Sequence, residues 1–269
     1  MEPLRFDGRT AVVTGAGGNP SMGRAHAMLL AARGANVVVN DIDPDVCTEV
    51  ADEIISAGGT ATPAPGDVVD DADAVVSVAL DEGGCLDVLV NNAGIAHVAP
   101  FSRQTVRDVE RLVRVHAVGT AAMTASAWDA LTESRGRVVN TTSAAVLGLI
   151  GSTAYAAAKG AVLGFTRSLA IEAAAVGVRV NAVMPMARTR MYEQSGGEPG
   201  SQEDALLTAH FPPELIAPVA VYLAWRDVPH NGQIVEVSGG TSAFVNFAVT
   251  PYVAAATPEA ARDALASAS

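Results

Sequence analysis

Short apolar segments alternate along this chain with longer helical segments, and this alternation constrains the fold more than any other feature. The apolar segments predict strands at 10–14, 36–40, 60–65, 86–90, 137–140, 178–183 and 233–237. Helical stretches lie between them, among them 24–33, 46–57, 71–82, 105–131 and 152–175. Strands that alternate with helices are typical of βαβ units, and strands that are apolar throughout belong to a parallel sheet covered on both faces. The sequence therefore predicts a doubly wound α/β sheet of about seven strands.

No repeat or low-complexity linker divides the pattern, so we expect residues 1–269 to form a single domain. Within it, we expect a substrate loop at 190–212 and a C-terminal tail at 244–269, with a short helix after Thr257. A net charge of −12 argues against nucleic-acid binding, which needs a footprint of lysine and arginine. Cys47 and Cys85 belong to no cluster with metal-ligand spacing, so no metal site is predicted. Without an apolar run of membrane-spanning length or a signal-peptide pattern, we expect a cytoplasmic protein without membrane contact.

A glycine-rich turn, Thr14 to Gly23, joins the first strand to the first helix, as in the Rossmann fold. Glycine lets the backbone N–H groups approach a pyrophosphate, and the start of the following helix adds the positive end of its dipole. Asp41 closes the second strand 26 residues after Gly15. A carboxylate there can accept the ribose hydroxyls of NAD and would repel the 2′-phosphate of NADP. We therefore expect NAD, the alternative being that Asp41 only caps a turn.

Tyr155 and Lys159 stand four residues apart at the start of the second long helix, so they share one helical face. A nearby ammonium favours the phenolate, and we expect it to lower the pKa of Tyr155 from about 10 towards working pH. The phenol can then exchange a proton with a substrate hydroxyl or carbonyl. The preceding strand ends in Asn140-Thr141-Thr142-Ser143, which brings a hydroxyl to the carboxyl edge of the sheet, where such folds bind their ligands.

These motifs, together with Asn91-Asn92-Ala93-Gly94 and Pro185-x-x-x-Thr189, resemble the short-chain dehydrogenase/reductase family in content and order. The resemblance implies that Tyr155 is the general acid/base, that Lys159 binds the nicotinamide ribose and lowers the tyrosine pKa, and that Ser143 holds the substrate oxygen. It further implies that Asp67 and Val68 contact the adenine and that Thr189 contacts the carboxamide. The full set of residues expected at the cofactor is Gly15, Gly17, Asn19, Ser21, Met22, Gly23, Asp41, Asp67, Val68, Asn91, Ala93, Gly94, Tyr155, Lys159, Pro185 and Thr189.

Within this family, three segments resemble the (3R)-hydroxyacyl-CoA dehydrogenase part of the peroxisomal multifunctional enzymes of type 2. The segments are 37–41, 115–119 and 231–237. His116 stands where most members of the family have the asparagine of a catalytic tetrad. The resemblance implies that His116 replaces it in the proton relay behind Lys159, the alternative being a histidine that only packs within a helix.

Two departures from the family pattern bear on the site. The glycine turn is two residues longer than usual because of Asn19-Pro20-Ser21, and Ser21 stands where the middle glycine would be. We expect Asn19 and Ser21 to contact the pyrophosphate through their side chains. Ser143 lies 12 residues before Tyr155 where 13 is usual in the family, and Thr142 has the usual spacing. We assign the site hydroxyl to Ser143 and keep Thr142 as the alternative.

The sequence thus predicts an NAD-dependent oxidoreductase that interconverts a secondary alcohol and a ketone. Its substrate is expected to be a small molecule that is bulky and apolar, such as a hydroxyacyl thioester, a steroid or a terpenoid. The alternative is a non-catalytic NAD-binding scaffold or sensor, which would be free to lose Ser143, Tyr155 and Lys159. The family resemblance also implies a homo-oligomer, a tetramer or a dimer.

Overall fold

Eight strands form one sheet in the computed structural model, which describes residues 2–194, 196–249, 252 and 256–266. The strands are β1 (Thr10–Val13), β2 (Asn36–Val39), β3 (Thr60–Pro63), β4 (Val88–Asn91), β5 (Arg137–Thr141), β6 (Arg179–Met186), β7 (Ile234–Ser238) and β8 (Thr241–Phe244). Their order is β3-β2-β1-β4-β5-β6-β7-β8, and all neighbours are parallel except β7 and β8. The predicted doubly wound parallel sheet is confirmed.

Helices cover both faces of this sheet. They are α1 (Met22–Ala32), α2 (Pro44–Ser56), α3 (Ala72–Gly83), α4 (Val106–Val113), α5 (Gly119–Ser126), α6 (Trp128–Ser134), α7 (Thr153–Ala173), α8 (Arg190–Gln194), α9 (Gln202–His210), α10 (Ala217–Ala224) and α11 (Pro258–Ala266). Buried side chains of α1, α2 and α10 form one core with the sheet, and those of α3, α5, α6 and α7 form a second core on the other face. Burial on both faces explains why the strands are apolar throughout.

β8 is a strand that the sequence pattern did not predict. Gly239 and Gly240 both adopt positive φ, at 53° and 78°, and this tight reversal turns the chain back antiparallel to β7. All four residues of β8 are exposed, so the strand lacks the apolar signal of the other seven. The prediction of about seven strands is therefore one short.

The long helix predicted at 105–131 is divided in the structure. A π-helical segment, Arg114–Val118, separates α4 from α5, and α6 begins a new helix at Trp128. The i→i+5 pattern of a π segment inserts an extra residue into the turn and commonly marks functional sites. His116 lies at its centre, so the irregularity changes the direction of a residue that the sequence analysis selected.

Two segments outside the central sheet match the sequence only in part. The expected helix of the tail is α11, where the Thr257 hydroxyl accepts the N–H of Ala260 at 3.2 Å. Residues 250, 251, 253–255 and 267–269 of the predicted tail lie outside the described residues, as does residue 195 of the predicted substrate loop. That loop, residues 190–212, contains α8 and α9 and is called the lid below.

Gln202–Ala224 is long and apolar enough to pass a length and composition test for a membrane span. In the structure it consists of α9, a short 3-10 turn over Pro213–Leu215, and α10. The buried residues of α10 belong to the core that packs on the sheet. A helix interrupted in this way and packed on a sheet is weak evidence for membrane insertion.

Burial without a partner makes His26 on α1 a source of acid sensitivity. Its ring is fully buried, and neither nitrogen has a hydrogen-bond partner among the described residues. Burial lowers the pKa of His26 to about 4, because the charged imidazolium loses its hydration. The unfolded chain therefore binds more protons than the fold between the ordinary histidine pKa, about 6.5, and the lowered value.

We expect the free energy of unfolding to fall as the pH falls from about 6.5 towards about 4, because protonation favours the unfolded state there. His26→Leu should reduce this loss by up to about 3 kcal/mol, whatever its effect at neutral pH. Denaturant unfolding at a series of pH values measures the slope. His210→Leu, at an exposed position on α9, is the control and should retain it. An unchanged slope in His26→Leu would contradict the prediction.

Candidate active site

The glycine turn after β1 is held against the end of β4, where the strand order reverses. The Thr14 hydroxyl accepts the backbone N–H groups of Asn92 and Ala93, both at 3.0 Å. The Asn92 side-chain amide donates in return to the carbonyls of Thr14 and Gly15, also at 3.0 Å. Reversal points of this kind open a crevice at the carboxyl ends of the strands, and ligands bind there.

Two glycines of the turn are required by close backbone approach. A Cβ atom at Gly15, where φ is 61°, would lie 2.6 Å from the Cα of Ala93. A Cβ atom at Gly23 on α1 would lie 2.2 Å from the carbonyl oxygen of Gly15. Such distances exclude any side chain, so strand, turn and helix pack without a gap and leave the crevice above them open.

Asp41 stands at the far end of this crevice, directly after β2. Its carboxylate accepts the N–H of Gly17 at 3.0 Å and that of Asp43 at 3.4 Å. None of the ion pairs of the described residues involves Asp41. The crevice has a volume of about 270 Å³ and is lined by Gly15, Gly17, Pro20, Ser21, Met22, Asp41, Ile42, Asn92, Gly94, Ile95, Thr189, Arg190 and Met191.

A second cavity of about 280 Å³ continues from this crevice over the ends of β5 and β6. The crevice and the second cavity share Met22, Asn92, Thr189 and Met191 in their linings. The other residues that line the second cavity are Ala96, Val98, Thr141, Thr142, Ser143, Leu149, Ser152, Tyr155, Lys159, Pro185, Ala187 and Tyr192. One groove therefore runs from Asp41 to Tyr155, and it brings the dinucleotide-type turn and the predicted catalytic residues together.

Tyr155 lies on the first turns of α7, and its hydroxyl donates to the Sδ atom of Met191 at 3.9 Å. Burial raises the pKa of Tyr155 to about 12, and a hydrogen bond with the Ser143 side chain opposes this rise. From the sequence we expected Lys159 to lower this pKa. In the structure burial determines the direction instead, because the phenolate loses its hydration.

Lys159 is 3% exposed, and its Nζ donates to the carbonyl of Thr141 at 2.7 Å. The same Nζ lies 5.8 Å from the centre of the Tyr155 ring. Burial lowers the pKa of Lys159 to about 7, because the charged ammonium loses its hydration. Burial thus favours the neutral amine.

The two candidate hydroxyls at the end of β5 have different partners. The Thr142 hydroxyl donates to the backbone carbonyl of Lys159 at 3.0 Å and is buried, so it supports the start of α7. The Ser143 hydroxyl accepts the N–H of Ala145 at 3.2 Å and keeps its proton for a further acceptor. This geometry places Ser143, rather than Thr142, beside the phenol.

His116 packs its ring edge-on against Tyr155, with centroids 5.3 Å apart. Its Nε2 lies 2.8 Å from the carbonyl of Ile95, and its buried Nδ1 has no partner among the described residues. Burial, and then the charge of Lys159, lower the pKa of His116 to about 3, so the ring is neutral. The structure thus places His116 behind the tyrosine, a position compatible with the packed histidine as well as with the relay.

The other predicted cofactor residues differ in their position relative to the groove. Gly17, Ser21, Met22, Gly94, Pro185 and Thr189 line the groove. Asn91 supports it from within the sheet, because its amide donates to Asn140 on β5 at 2.9 Å. Ala93 packs against Gly15. Asn19, Asp67 and Val68 are absent from the groove lining as described.

Each of these three departures has a physical reason. Asn19 is exposed outside the groove. The Asp67 carboxylate is occupied in its own turn, where it accepts the N–H of Val69 at 2.7 Å. Val68 is buried and faces Gly119, where a Cβ atom would lie 2.5 Å from its Cγ2. Ser21 lines the groove, but its hydroxyl caps α1 by accepting the N–H of Arg24.

Three residues of this site were not among those predicted from the sequence. Asn92 holds the glycine turn through the bonds described above. Arg190 lies at the turn, and Arg188, which precedes the lid, is buried and bound to Asp204 and Glu193. Arg188 and Arg190 flank Thr189 in the sequence, but nothing in their spacing shows which way each side chain turns.

Comparison with known proteins agrees with this geometry. The family model described as short chain dehydrogenase matches residues 9–198. Peroxisomal multifunctional enzyme type 2 of Mus musculus is 39% identical over 249 residues, which is 88% of this chain and 32% of that enzyme. The (2S)-[(R)-hydroxy(phenyl)methyl]succinyl-CoA dehydrogenase subunit BbsD of Thauera aromatica is 34% identical over 251 residues, 90% of this chain and 99% of that subunit. The similarity predicted from the motifs is confirmed.

Solved structures agree as well. A short chain dehydrogenase from Mycobacterium avium superposes with a TM-score of 0.83 at 34% identity, covering 98% of this chain and 97% of that one. The chain covers between 27% and 60% of the length of the peroxisomal relatives. The similarity therefore concerns one part of those longer proteins.

Two carboxylates hold the lid in place through one arginine. Arg188 is buried, and its guanidinium binds Asp204 on α9 at 2.7 Å and Glu193 on α8 at 2.9 Å. The bond from Arg188, together with the N–H of Gly200, keeps the pKa of Asp204 below its usual range. Both lid helices are thereby tied to the segment that carries Thr189.

Asp204→Asn should loosen the lid, because the substitution removes the charge that Arg188 binds. We expect amide hydrogen exchange over 190–210 to become faster by about an order of magnitude, with exchange in the sheet unchanged. Glu198→Gln removes an exposed lid carboxylate and is the matched control. Equal exchange in the two variants would show that the ion pair does not hold the lid.

Proposed function

The chain belongs to the short-chain dehydrogenase family, and we propose that it is an NAD-dependent oxidoreductase that interconverts a secondary alcohol and a ketone. Its family identifies it as an oxidoreductase acting on CH–OH groups. One observation carries the finer proposal: Ser143, Tyr155 and Lys159 line one cavity that is continuous with the groove at the glycine turn. A scaffold or sensor without chemistry would not need all three groups there.

Tyr155 is proposed to exchange the proton. In the oxidative direction its phenolate accepts the proton of the substrate hydroxyl, and in the reductive direction its phenol donates one to the forming alkoxide. Ser143 donates its hydroxyl hydrogen to the same substrate oxygen and holds it beside the phenol. Because the two hydroxyls lie together at the end of β5 and the start of α7, the substrate oxygen is placed without movement of the backbone.

Lys159 is proposed to stabilise the ionised phenol. Its Nζ stands behind the Tyr155 ring, and its lowered pKa lets it gain or lose a proton near neutral pH. When the phenolate forms, the neighbouring negative charge favours the ammonium, and each charge then stabilises the other. His116 is proposed to take part in positioning these groups through its contact with the Tyr155 ring.

The groove fits a nicotinamide dinucleotide. Gly15 and Gly23 leave room at the turn that a Cβ atom would fill, and Asp41 offers a carboxylate at the end expected for the adenosine ribose. When bound, such a cofactor supplies the hydride acceptor or donor. The chain supplies the turn, the ribose carboxylate, Thr189 for the carboxamide and Lys159 for the nicotinamide ribose. A carboxylate without an arginine or lysine partner favours NAD over NADP.

The substrate is proposed to be a bulky apolar secondary alcohol. Val98, Leu149, Met191 and Tyr192 give its cavity an apolar wall beside the polar edge formed by Ser143. One relative is named as a dehydrogenase of a succinyl-CoA derivative, and another is a peroxisomal multifunctional enzyme. We therefore propose a hydroxyacyl thioester as the first candidate. The arginines at 103, 107, 111 and 114 do not line this cavity, and Arg114 binds Asp70 at 2.6 Å. We therefore propose that a thioester places its acyl part in this cavity.

A homo-oligomer is also proposed. Apolar side chains are exposed in two stretches of the chain, at Phe101 and Val106 and at Leu147, Leu149 and Ile150, with Ile150 96% exposed. Exposed apolar groups of this kind favour association with a second copy. Sedimentation of the purified chain distinguishes a monomer from a dimer or tetramer. The cytoplasmic location expected from the sequence stays a prediction.

Tyr155→Phe should lower kcat for every accepted alcohol by about 10²- to 10⁴-fold, the usual contribution of general acid–base catalysis. NADH binding should persist, because the ring remains. Tyr222→Phe, which lies outside both cavities, is the matched control and should retain activity. Unchanged turnover in Tyr155→Phe would refute the proposed reaction.

In the unmodified protein the oxidation rate should rise from about pH 6 to about pH 9. Oxidation needs the phenolate, and the pKa of the Tyr155 phenol lies far above this range.

Asp41→Ser should weaken NADH binding by about 10- to 100-fold, because a charged hydrogen bond is lost, and it should narrow the preference over NADPH. Fluorescence titration with both cofactors measures the two Kd values. Asp43→Ser is the control, since serine retains the N-cap that Asp43 provides to α2. Tighter binding of NADPH than of NADH by the unmodified protein would overturn the NAD assignment.

An NAD-coupled screen tests the substrate proposal. Hydroxyacyl-CoA thioesters of increasing chain length, hydroxysteroids and terpene alcohols are compared by kcat/KM. We expect longer or larger apolar groups to raise kcat/KM, because burial of each additional CH₂ group is worth about 0.8 kcal/mol. A preference for small polar alcohols would contradict the apolar cavity.

A further inference from the structure

Arg190 is a cation of the lid that has no carboxylate partner among the described residues. Its neighbour Arg188 binds two carboxylates, whereas none of the ion pairs within the described part of the chain involves Arg190. Arg190 is exposed, so it is not held in place by the core. The chain has a net charge of −12. An arginine without a carboxylate partner in such a chain indicates a ligand site only if the groups around it can form one.

Those surroundings are the glycine turn. The Arg190 guanidinium donates from Nη2 to the carbonyl of Gly17 at 3.5 Å, a long bond that a stronger acceptor would replace. A Cβ atom at Gly18 would lie 2.2 Å from the Cζ of Arg190, so the guanidinium rests on the bare α-carbon of that glycine. The backbone N–H of Arg190 also donates to the carbonyl of Pro20 at 3.3 Å.

These contacts indicate a role for the two additional residues of the turn. Pro20 belongs to the insertion Asn19-Pro20-Ser21, and its carbonyl is the point at which the lid meets the turn. Of the side chains expected to replace the usual glycine contacts, Asn19 is exposed outside the groove and the Ser21 hydroxyl is engaged in capping α1. Asn19 is thus absent from the described groove lining and the Ser21 hydroxyl is engaged, whereas Arg190 lines the groove.

The charged residues that line the groove also favour an anion at Arg190. Among the described residues that line the groove at the turn, Arg190 is the cation and Asp41 is the carboxylate. The N–H of Gly17, a donor that a phosphate could use, is bound to Asp41. A diphosphate in this groove would carry about two negative charges, and a guanidinium can bind two of its oxygens at once.

We infer that Arg190 binds the diphosphate of the dinucleotide and thereby connects the lid to the bound cofactor. This inference rests on the proposed function and adds to it a residue from outside the glycine turn. Arg190 acts as a clamp: the guanidinium exchanges the Gly17 carbonyl for phosphate oxygens. Because Arg190 adjoins Thr189 and begins α8, the same contact holds the lid over the cavity at Tyr155.

The test compares ligands with and without a diphosphate. Arg190→Gln should raise the Kd of NADH and of ADP-ribose by about 10- to 100-fold, as expected for the loss of a charged hydrogen bond. The Kd of adenosine, read by competition with NADH fluorescence, should not change. Arg190→Lys should recover part of the affinity, since it retains the charge without the two-pronged geometry. Arg103→Gln, at another exposed arginine, is the control.

A second measurement reads the lid directly. Saturating ADP-ribose should slow amide hydrogen exchange over 190–210 in the unmodified protein and in Arg103→Gln, but not in Arg190→Gln saturated with the same ligand. Unmodified protein that binds no dinucleotide would refute the proposed function itself. Protein that binds NADH normally, with Arg190→Gln binding it equally well, would refute only the clamp. A loss confined to NADPH would also overturn it, because Arg190 would then bind a 2′-phosphate.

Discussion

The contact between the glycine turn and the end of β4 is the constraint on which the rest of the site depends. Gly15 approaches Ala93 so closely that a side chain cannot fit, and the Asn92 amide ties the two segments together. This contact lies where the strand order reverses, and the chain leaves β1 and β4 towards opposite sides. The crevice exists because the backbone groups on its floor bind one another and leave the space above them open.

A second constraint is the low hydration around the proposed catalytic residues. Burial raises the pKa of Tyr155 to about 12 and lowers that of Lys159 to about 7, so each group is held towards its neutral form. Removing a proton from one and adding it to the other produces a pair of charges that stabilise each other in the same dry environment. The proposed proton exchange therefore depends on the burial of the pair as much as on their spacing along α7.

The lid joins these two parts of the groove. Arg188 holds its helices through Asp204 and Glu193, while Arg190 reaches the glycine turn. Met191, the next residue, lies at the Tyr155 hydroxyl. Contacts of one short segment thus reach the lid interior, the glycine turn and the Tyr155 hydroxyl.

The sequence by itself determined the parallel sheet, the glycine turn, Asp41 and the Tyr155–Lys159 pair, because each of these depends on local spacing or on the periodicity of apolar residues. It predicted the long helix that the π segment divides, and it missed β8, whose four residues are exposed. Only the tertiary structure decided that Thr142 supports α7 while Ser143 faces the cavity, that burial raises the pKa of the Tyr155 phenol, and that Arg190 rests on Gly18. Those outcomes depend on which groups meet across distant segments and on how much water they lose, and no spacing along the chain encodes either.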